Sequence, residues 1–274
     1  MTQSERLNYL VRSFIEDSEH YKNMEVPADT EGKRTLLRSL MNIRMPKAMD
    51  EEILKVQDEY LQERAREVGV VPAIEIPTVA ELGSKAEKGD QIAIWQGDIT
   101  RIGADAIVNA ANSQMLGCFV PMHTCIDNCI HTFAGVQLRA ECENKMRALR
   151  KKYGREYEQP TAVPMITSGY NLPAKHVIHV VGPIVYGRLT TKLERQLGDC
   201  YRNTLKLCDE YELTSVAFCC ISTGVFLFPN ERASSIAVEE VTSYLRETGS
   251  RIKVIFNVFK NEDLDLYRKQ LELE

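Results

Sequence analysis

From about residue 80 onward the chain alternates short runs rich in Val and Ile with long amphipathic stretches, and this alternation restricts its possible folds more than any other feature. Ile92–Trp95, Ala106–Asn109, Ala162–Ile166, His176–Val181, Val216–Ile221 and Ile252–Val258 read as strands. Between them, Ile126–Lys151, Lys192–Tyr211, Arg232–Arg246 and a terminal stretch from Asp263 carry helical periodicity. Strands that are apolar on successive residues have no face suited to water, so the sheet they form needs helices on both sides. Two of the helices carry start signals: Thr191 with Glu194 three residues on fits a capping box, and Asn230 after Pro229 is placed to cap the next helix.

The first 80 residues follow a different pattern. Leu7, Leu10, Val11, Phe14 and Ile15 recur at helical spacing and form one apolar stripe. A second helical stretch runs from about Lys47 to Val68, with Ile53, Leu54, Val56 and Leu61 among many charges, and Pro72 and Pro77 then mark an extended connection. This divides the chain into a helical extension, 1–80, packing on an α/β domain, 81–274. At 274 residues the chain buries a substantial core without disulfides.

Composition narrows the partners. A formal net charge of -5 gives no electrostatic footprint for duplex nucleic acid or an anionic membrane surface. No apolar run approaches the ~20 residues that cross a bilayer, and the first residues lack the order of a signal peptide, so a cytoplasmic protein is expected. Of the eight cysteines, Cys118, Cys125, Cys129 and Cys142 cluster while Cys219 and Cys220 sit in an apolar run, unlike a disulfide framework. In a reducing compartment the cluster points to metal or thiol chemistry.

Three loops follow strand-like runs and hold small or polar residues: Gly97 to Thr100, Asn109 to Ser113 and Ser222 to Pro229. Ligands of open α/β sheets sit beyond the carboxyl ends of the strands, so these loops can converge on one crevice. Gly224, free to take positive φ, would let the third aim backbone N–H groups at a phosphate. Taken singly, each loop is an ordinary connection. Neither the Rossmann glycine fingerprint nor the P-loop signature is present.

Taken together and in order, the blocks GDIT (Gly97–Thr100), AIVNAANS (Ala106–Ser113), GYNLPAKHVIHVVGP (Gly169–Pro183) and ISTGVFLFP (Ile221–Pro229) resemble the macrodomain family, over roughly residues 90 to 260. The resemblance implies a three-layer α/β/α sandwich with a mixed central sheet that binds ADP-ribose. It further implies that Asp98, with Ile99 beside it, receives the adenine amino group and that Asn112 contacts the distal ribose and takes part in catalysis. Ser222, Thr223, Gly224, Val225 and Phe226 would wrap the pyrophosphate. Hydrolase members use the Asp of a G-V-D-x-x-I-H block in catalysis, and here Cys125 to His131 matches that block, making Asp127 the corresponding carboxylate. Leu227 stands where many relatives carry Gly.

The chain departs from the common pattern after NAANS. Cys118, His123 and Cys125 fall within eight residues. On spacing alone they are either buried thiols or a metal site, and the spacing is not that of a zinc ribbon or finger. The Cys-x4-His-x-Cys insertion resembles the marker of the zinc-dependent microbial macrodomains of MacroD-like type, which are linked to bacterial SirTM sirtuins. Two thiolates and an imidazole suit one Zn²⁺ per chain and leave its fourth position open. Cys129, Cys142, Cys219 and Cys220 are expected to pack, and His131 and His179 to be hydrogen-bonded interior residues.

That resemblance implies an enzyme that removes mono-ADP-ribose from Asp or Glu side chains and so reverses sirtuin-type ADP-ribosylation. O-acyl-ADP-ribose is a chemically close alternative substrate, and a non-catalytic ADP-ribose reader is the alternative class. A reader needs neither a metal with an open position nor Asp127 beside it. The same analogy implies a macrodomain-linked sirtuin as the transferase and a lipoyl-carrier protein of the glycine-cleavage H type as its target.

Overall fold

The computed structural model describes residues 1–18 and 20–273. Three helices come first: α1 (Gln3–Asp17), α2 (Thr30–Ile43) and α3 (Glu51–Val68). Thr2 and Glu5 close a capping box on α1, and Asp29 and Asp50 cap α2 and α3. The stripe Leu7, Leu10, Val11, Phe14 and Ile15 is buried against Leu37, Leu40 and Met41 of α2 and Val56, Tyr60 and Leu61 of α3. These three helices thus form their own apolar cluster, joined by Val136 from the rest of the chain. The cluster under the sheet begins at Ala73.

The remainder runs β1 (Val71–Pro72), β2 (Ile92–Gln96), β3 (Ile102–Gly103), β4 (Ala106–Ala111), α4 (Ile126–Ala134), α5 (Val136–Tyr153), β5 (Met165–Ser168), β6 (His176–Val181), α6 (Thr191–Glu210), β7 (Ser215–Phe218), α7 (Asn230–Thr248), β8 (Lys253–Val258) and α8 (Asn261–Gln270). Six strands make the central sheet in the order β2-β8-β7-β4-β6-β5. Every pairing is parallel except that of β5 with β6, so the sheet is mixed. Its middle strands are buried along nearly their whole length, as strands covered on both faces must be. β1 and β3 form a separate short pair. Among the described residues no helix is long and apolar enough to cross a membrane.

Several element boundaries differ from those expected from the sequence. The stretch expected as one helix, Ile126–Lys151, is two, because Gly135 takes φ +98 and ends α4 while opening α5. A Cβ there would lie 2.6 Å from Gln57 Nε2, and the buried Gln57 accepts the Val136 N–H with its Oε1 at 3.1 Å. Thr190, not Thr191, caps α6, accepting from Leu193 N, and Thr191 is already helical. Asn230 does not cap α7: it is the first helical residue, and its amide donates to Asp263 at 2.7 Å. The strand expected from Ala162 begins only at Met165, since Ala162 sits at φ +64.

Candidate functional site

Because β2, β8, β7, β4 and β6 are parallel, their carboxyl ends share one edge of the sheet. That edge carries Asp98 after β2, Phe259 after β8, Ser222 beyond β7, Asn112 after β4 and Gly182 after β6. Asp98 and Asn112 are therefore three strand spacings apart, roughly 14 Å at about 4.8 Å each. The two loops and the turn between them line up along that edge.

At the β2 end, Asp98 Oδ1 accepts from Thr100 N at 3.0 Å and Thr100 Oγ1 at 2.7 Å, which fixes the carboxylate at the start of a single 3₁₀ turn. Ile99 beside it is buried. In the middle of the edge, the turn from Ser222 is closed by Phe228 N to Ser222 O at 3.0 Å and Leu227 N to Gly224 O at 3.1 Å, and Val185 N pins it at Phe226 O, 2.9 Å away. Among the described residues the N–H groups of Thr223, Gly224, Val225 and Phe226 meet no carbonyl acceptor. Consecutive free donors of this kind make an anion cradle.

The turn's left-handed residues are not the expected one. Gly224 is not at positive φ; Ser222 at +66 and Leu227 at +58 are. Nothing lies within 4 Å of a Cβ built on Gly224, so glycine there keeps the backbone open rather than bending it. Ser222 is buried with its Oγ unbonded, 2.1 Å from where a Cβ on Gly182 would stand. Leu227, 70% exposed, gains no packing in return for its strained backbone. Leu227→Gly therefore stabilises the fold by about 1 kcal/mol, the left-handed penalty of a side chain less the added freedom of glycine in the unfolded chain. Chemical denaturation would show the midpoint rising, and a fall would contradict the strain.

At the β4 end a buried polar group surrounds Asp127, which sits in the first turn of α4. Asn109 Nδ2 donates to Asp127 Oδ1 at 2.8 Å, and Asn112 Nδ2 donates to Oδ2 at 3.3 Å. Burial pushes the Asp127 carboxyl up to about 6, against the Asn109 bond and the Arg139 charge, which hold it down. Asn109 Nδ2 also faces His179 Nδ1 at 3.0 Å, so the His179 proton belongs on Nε2, which donates to Thr167 Oγ1 at 3.0 Å. Burial lowers His179 to about 3 and His131 well below its ordinary value, so both rings are neutral interior groups. His131 Nε2 is 3.6 Å from Asp127 Oδ1.

The Cys/His loop lies directly against this group. Asn112 Nδ2 donates to Gly117 O at 3.1 Å, and Gly117 takes φ +78 with the His131 ring 2.7 Å from where its Cβ would be. Cys118 Sγ stands 3.6 Å from His123 Nδ1, and the two sulfurs and a ring nitrogen of His123 all lie within 4.8 Å of one another, half-buried. Zn–S near 2.3 Å and Zn–N near 2.0–2.1 Å at a tetrahedral angle place sulfur and nitrogen about 3.5–3.6 Å apart. The donor set therefore fits a tetrahedral zinc. Burial and the Cys118 thiol push Cys125 up to about 12, a cost to the thiolate that a divalent cation between the two would reverse. Cys125 also caps α4, its Sγ accepting from Asn128 N at 3.4 Å.

His131, Cys142 and His179 also approach within 4.8 Å, but all three are buried and His179 already bonds Thr167 and Asn109. The other expected packing cysteines, Cys129 and Cys220, are half-buried, and Cys219 is buried. Sequence reading missed Arg38, Asn42, Asn128 and Arg139, which hold the loop from beneath. Asn128 falls at a variable position of the Cys125–His131 block and the other three lie in no motif, so only their tertiary neighbours reveal them.

The mixed six-stranded sheet, with a fixed carboxylate, free amide donors and a buried acid in a row along one edge, has the architecture of the macrodomain class of α/β modules. The Macro domain family matches residues 108–237. A Treponema medium relative named protein-ADP-ribose hydrolase is 44% identical over 98% of this chain and 99% of its own. With near full-length similarity at that level, the chain belongs to the macrodomain family. The Trypanosoma brucei macrodomain, solved in complex with ADP-ribose, superimposes with a TM-score of 0.64 at 27% identity, covering 85% of this chain and 94% of that one. A Fusarium oxysporum relative, 41% identical over 94% of this chain, carries the name "Probable bifunctional ADP-ribose hydrolase/ADP-ribosyltransferase", and this chain spans 45% of its length.

Proposed function

We propose that the protein is a zinc-dependent protein-ADP-ribose hydrolase that removes mono-ADP-ribose from Asp and Glu side chains. The observation that carries this reading is the meeting of Asp127, Asn112 and the Cys118, His123 and Cys125 trio at the end of β4. The name of the Treponema medium relative supports the activity, and the Trypanosoma brucei complex supports ADP-ribose as the ligand. Adenine goes to Asp98 and Ile99, the pyrophosphate to Ser222, Thr223, Gly224, Val225 and Phe226, and the distal ribose to Asn112.

Hydrolysis adds water across the bond between the distal ribose and the target carboxylate, returning free ADP-ribose and a free Asp or Glu. Asp127 Oδ1 is tied to Asn109 at 2.8 Å and Oδ2 more loosely to Asn112 at 3.3 Å, so Oδ2 is the atom that takes the water's proton. A carboxyl near 6 is suited to receive and release that proton around neutral pH. Bound by Cys118, His123 and Cys125, zinc would supply Lewis-acid polarisation beside the bond being cut. Asn112, held by Gly117 O, fixes the ribose face presented to Asp127.

A free O-acyl-ADP-ribose has the same ester chemistry and is expected to be cut as well. The Fusarium relative's joining of hydrolase and transferase supports a functional pairing with an ADP-ribosyltransferase. We assign that role to a macrodomain-linked sirtuin and its target to a lipoyl-carrier protein of the glycine-cleavage H type. A panel of proteins carrying ADP-ribose on Glu, Ser or Arg tests the linkage. Release from Glu alone is expected; release from Arg or Ser at equal rate would contradict the ester assignment, and tight ADP-ribose binding with no release would indicate a reader.

A further inference from the structure

Helix α2 lies outside the α/β domain, yet it reaches the Cys/His loop with two side chains. Arg38 Nη2 donates to the His123 carbonyl at 2.9 Å and to Asn128 Oδ1 at 3.0 Å. Asn42, 1% exposed, accepts from Met122 N at 3.0 Å and donates to Thr132 Oγ1 at 2.8 Å. The α4 residue that Arg38 holds is itself wired to the other two trio members. Asn128 Nδ2 donates to the Cys118 carbonyl at 3.3 Å, and Asn128 N donates to Cys125 Sγ at 3.4 Å. One guanidinium thus connects, directly or through one amide, to all three of Cys118, His123 and Cys125.

Arg139 holds the start of the loop, bonding the Leu116 carbonyl at 2.7 Å and lying 4.2 Å from the Phe119 ring centroid, and Asn128 Nδ2 bonds the Val120 carbonyl at 3.0 Å, but the stretch around His123 rests on α2. Between Cys118 and Cys125 the loop has no helix or strand, and its internal backbone bond is His123 N to Val120 O at 3.2 Å. Met122 sits at φ +58, a conformation that a non-glycine side chain holds only when its surroundings impose it. Asn42 is the side chain that holds the Met122 N–H in that conformation, at 3.0 Å. Arg38 in turn is kept in place over the Phe133 ring, 5.9 Å from its centroid. A tetrahedral donor set tolerates errors of only a few tenths of an ångström in ligand position, so a stretch this sparsely bonded needs support from outside itself.

We propose that α2 is part of the metal site, with Arg38 and Asn42 as positioning residues that preset the Cys118, His123 and Cys125 geometry. The inference rests on the zinc reading above. It gives the N-terminal helices a role in the chemistry: the α/β domain supplies the ligands, and α2 supplies the frame that aligns them. Groups that orient metal ligands from behind typically affect metal affinity about 10–100-fold when removed.

The test uses the full-length wild type, Arg38→Ala, Arg38→Lys and Asn42→Ala. The zinc dissociation constant is measured by competition with a chromogenic chelator. Separately, the metal-free chains are treated with iodoacetamide and the alkylation rates of Cys118 and Cys125 are followed by peptide mass spectrometry. Arg38→Ala is expected to weaken zinc binding at least 10-fold and to speed alkylation of both thiols several-fold, with a cooperative thermal transition retained. Arg38→Lys, which can still donate to the His123 carbonyl, is expected to restore part of both, and Asn42→Ala to move both in the direction of Arg38→Ala. If Arg38→Ala fails to fold, Arg38→Lys and Asn42→Ala decide. Wild-type constants and wild-type alkylation in folded variants would overturn the proposal. A wild type that binds no zinc would remove the metal reading, and alkylation would still decide whether α2 orders the loop.

Discussion

Asp127→Asn lowers turnover on a Glu-linked ADP-ribosyl protein by about 10²–10⁴-fold, the range expected when a positioned general base is removed. ADP-ribose binding stays within a few-fold of wild type, because Asp98 and the Ser222 to Phe226 turn lie elsewhere along the sheet edge. The fold is also kept. An amide at residue 127 can still accept from Asn109 Nδ2, the 2.8 Å bond that anchors the side chain, and Arg139, the buried charge nearby, keeps its bonds to the Leu116 and Asn42 carbonyls. The comparison of turnover, ligand affinity and melting temperature separates a lost base from a damaged site. Turnover within threefold of wild type would remove Asp127 from the chemistry.

The second large effect is expected at the Cys/His loop. Cys118→Ala takes one sulfur from the trio but removes no helix cap, unlike Cys125, whose Sγ accepts from Asn128 N. Zinc content falls from about one per chain to near zero. Turnover falls with it by about 100-fold or more, since the Lewis-acid contribution is worth several kcal/mol. The melting temperature of the metal-free wild type is the proper reference, because bound metal stabilises the folded state by mass action. Zinc retained at unit stoichiometry in Cys118→Ala, checked by elemental analysis, would show that the ligands lie elsewhere.

Much of this architecture was legible in the sequence because burial on both faces of a strand leaves a local mark. Val177, Ile178, Val180 and Val181 of β6 are all buried, and no amphipathic alternative fits such a run. The site loops were legible because parallel strands bring their carboxyl ends to one edge, so the loops after Gln96, Ala111 and Phe218 had to meet. What escaped was fixed by tertiary contact. The break at Gly135 is invisible in a stretch whose periodicity continues through it, and depends on Gln57 from α3. Helix α2 was not assigned at all: its stripe of Leu37, Leu40 and Met41 is short, and Gly32 lies in its first turn.

The turn shows a different limit. Gly224 was the natural candidate for a left-handed residue, yet Ser222 and Leu227 hold that conformation, because Phe228 N must return to Ser222 O. Closure of the turn, a nonlocal demand, decided which residues are strained. The supports of the Cys/His loop were hidden for the same reason. Arg38 meets His123 across 85 positions of sequence, and no spacing rule reaches that far.

One measurement bears most directly on the central claim: release of ADP-ribose from a Glu-ADP-ribosylated protein by the wild-type chain as purified, after chelation, and after zinc is restored, with zinc per chain determined in each state. Turnover that tracks about one zinc per chain, lost on chelation and regained on reconstitution with the fold retained throughout, is the expected result. Equal turnover in the zinc-free and zinc-loaded chain would contradict it.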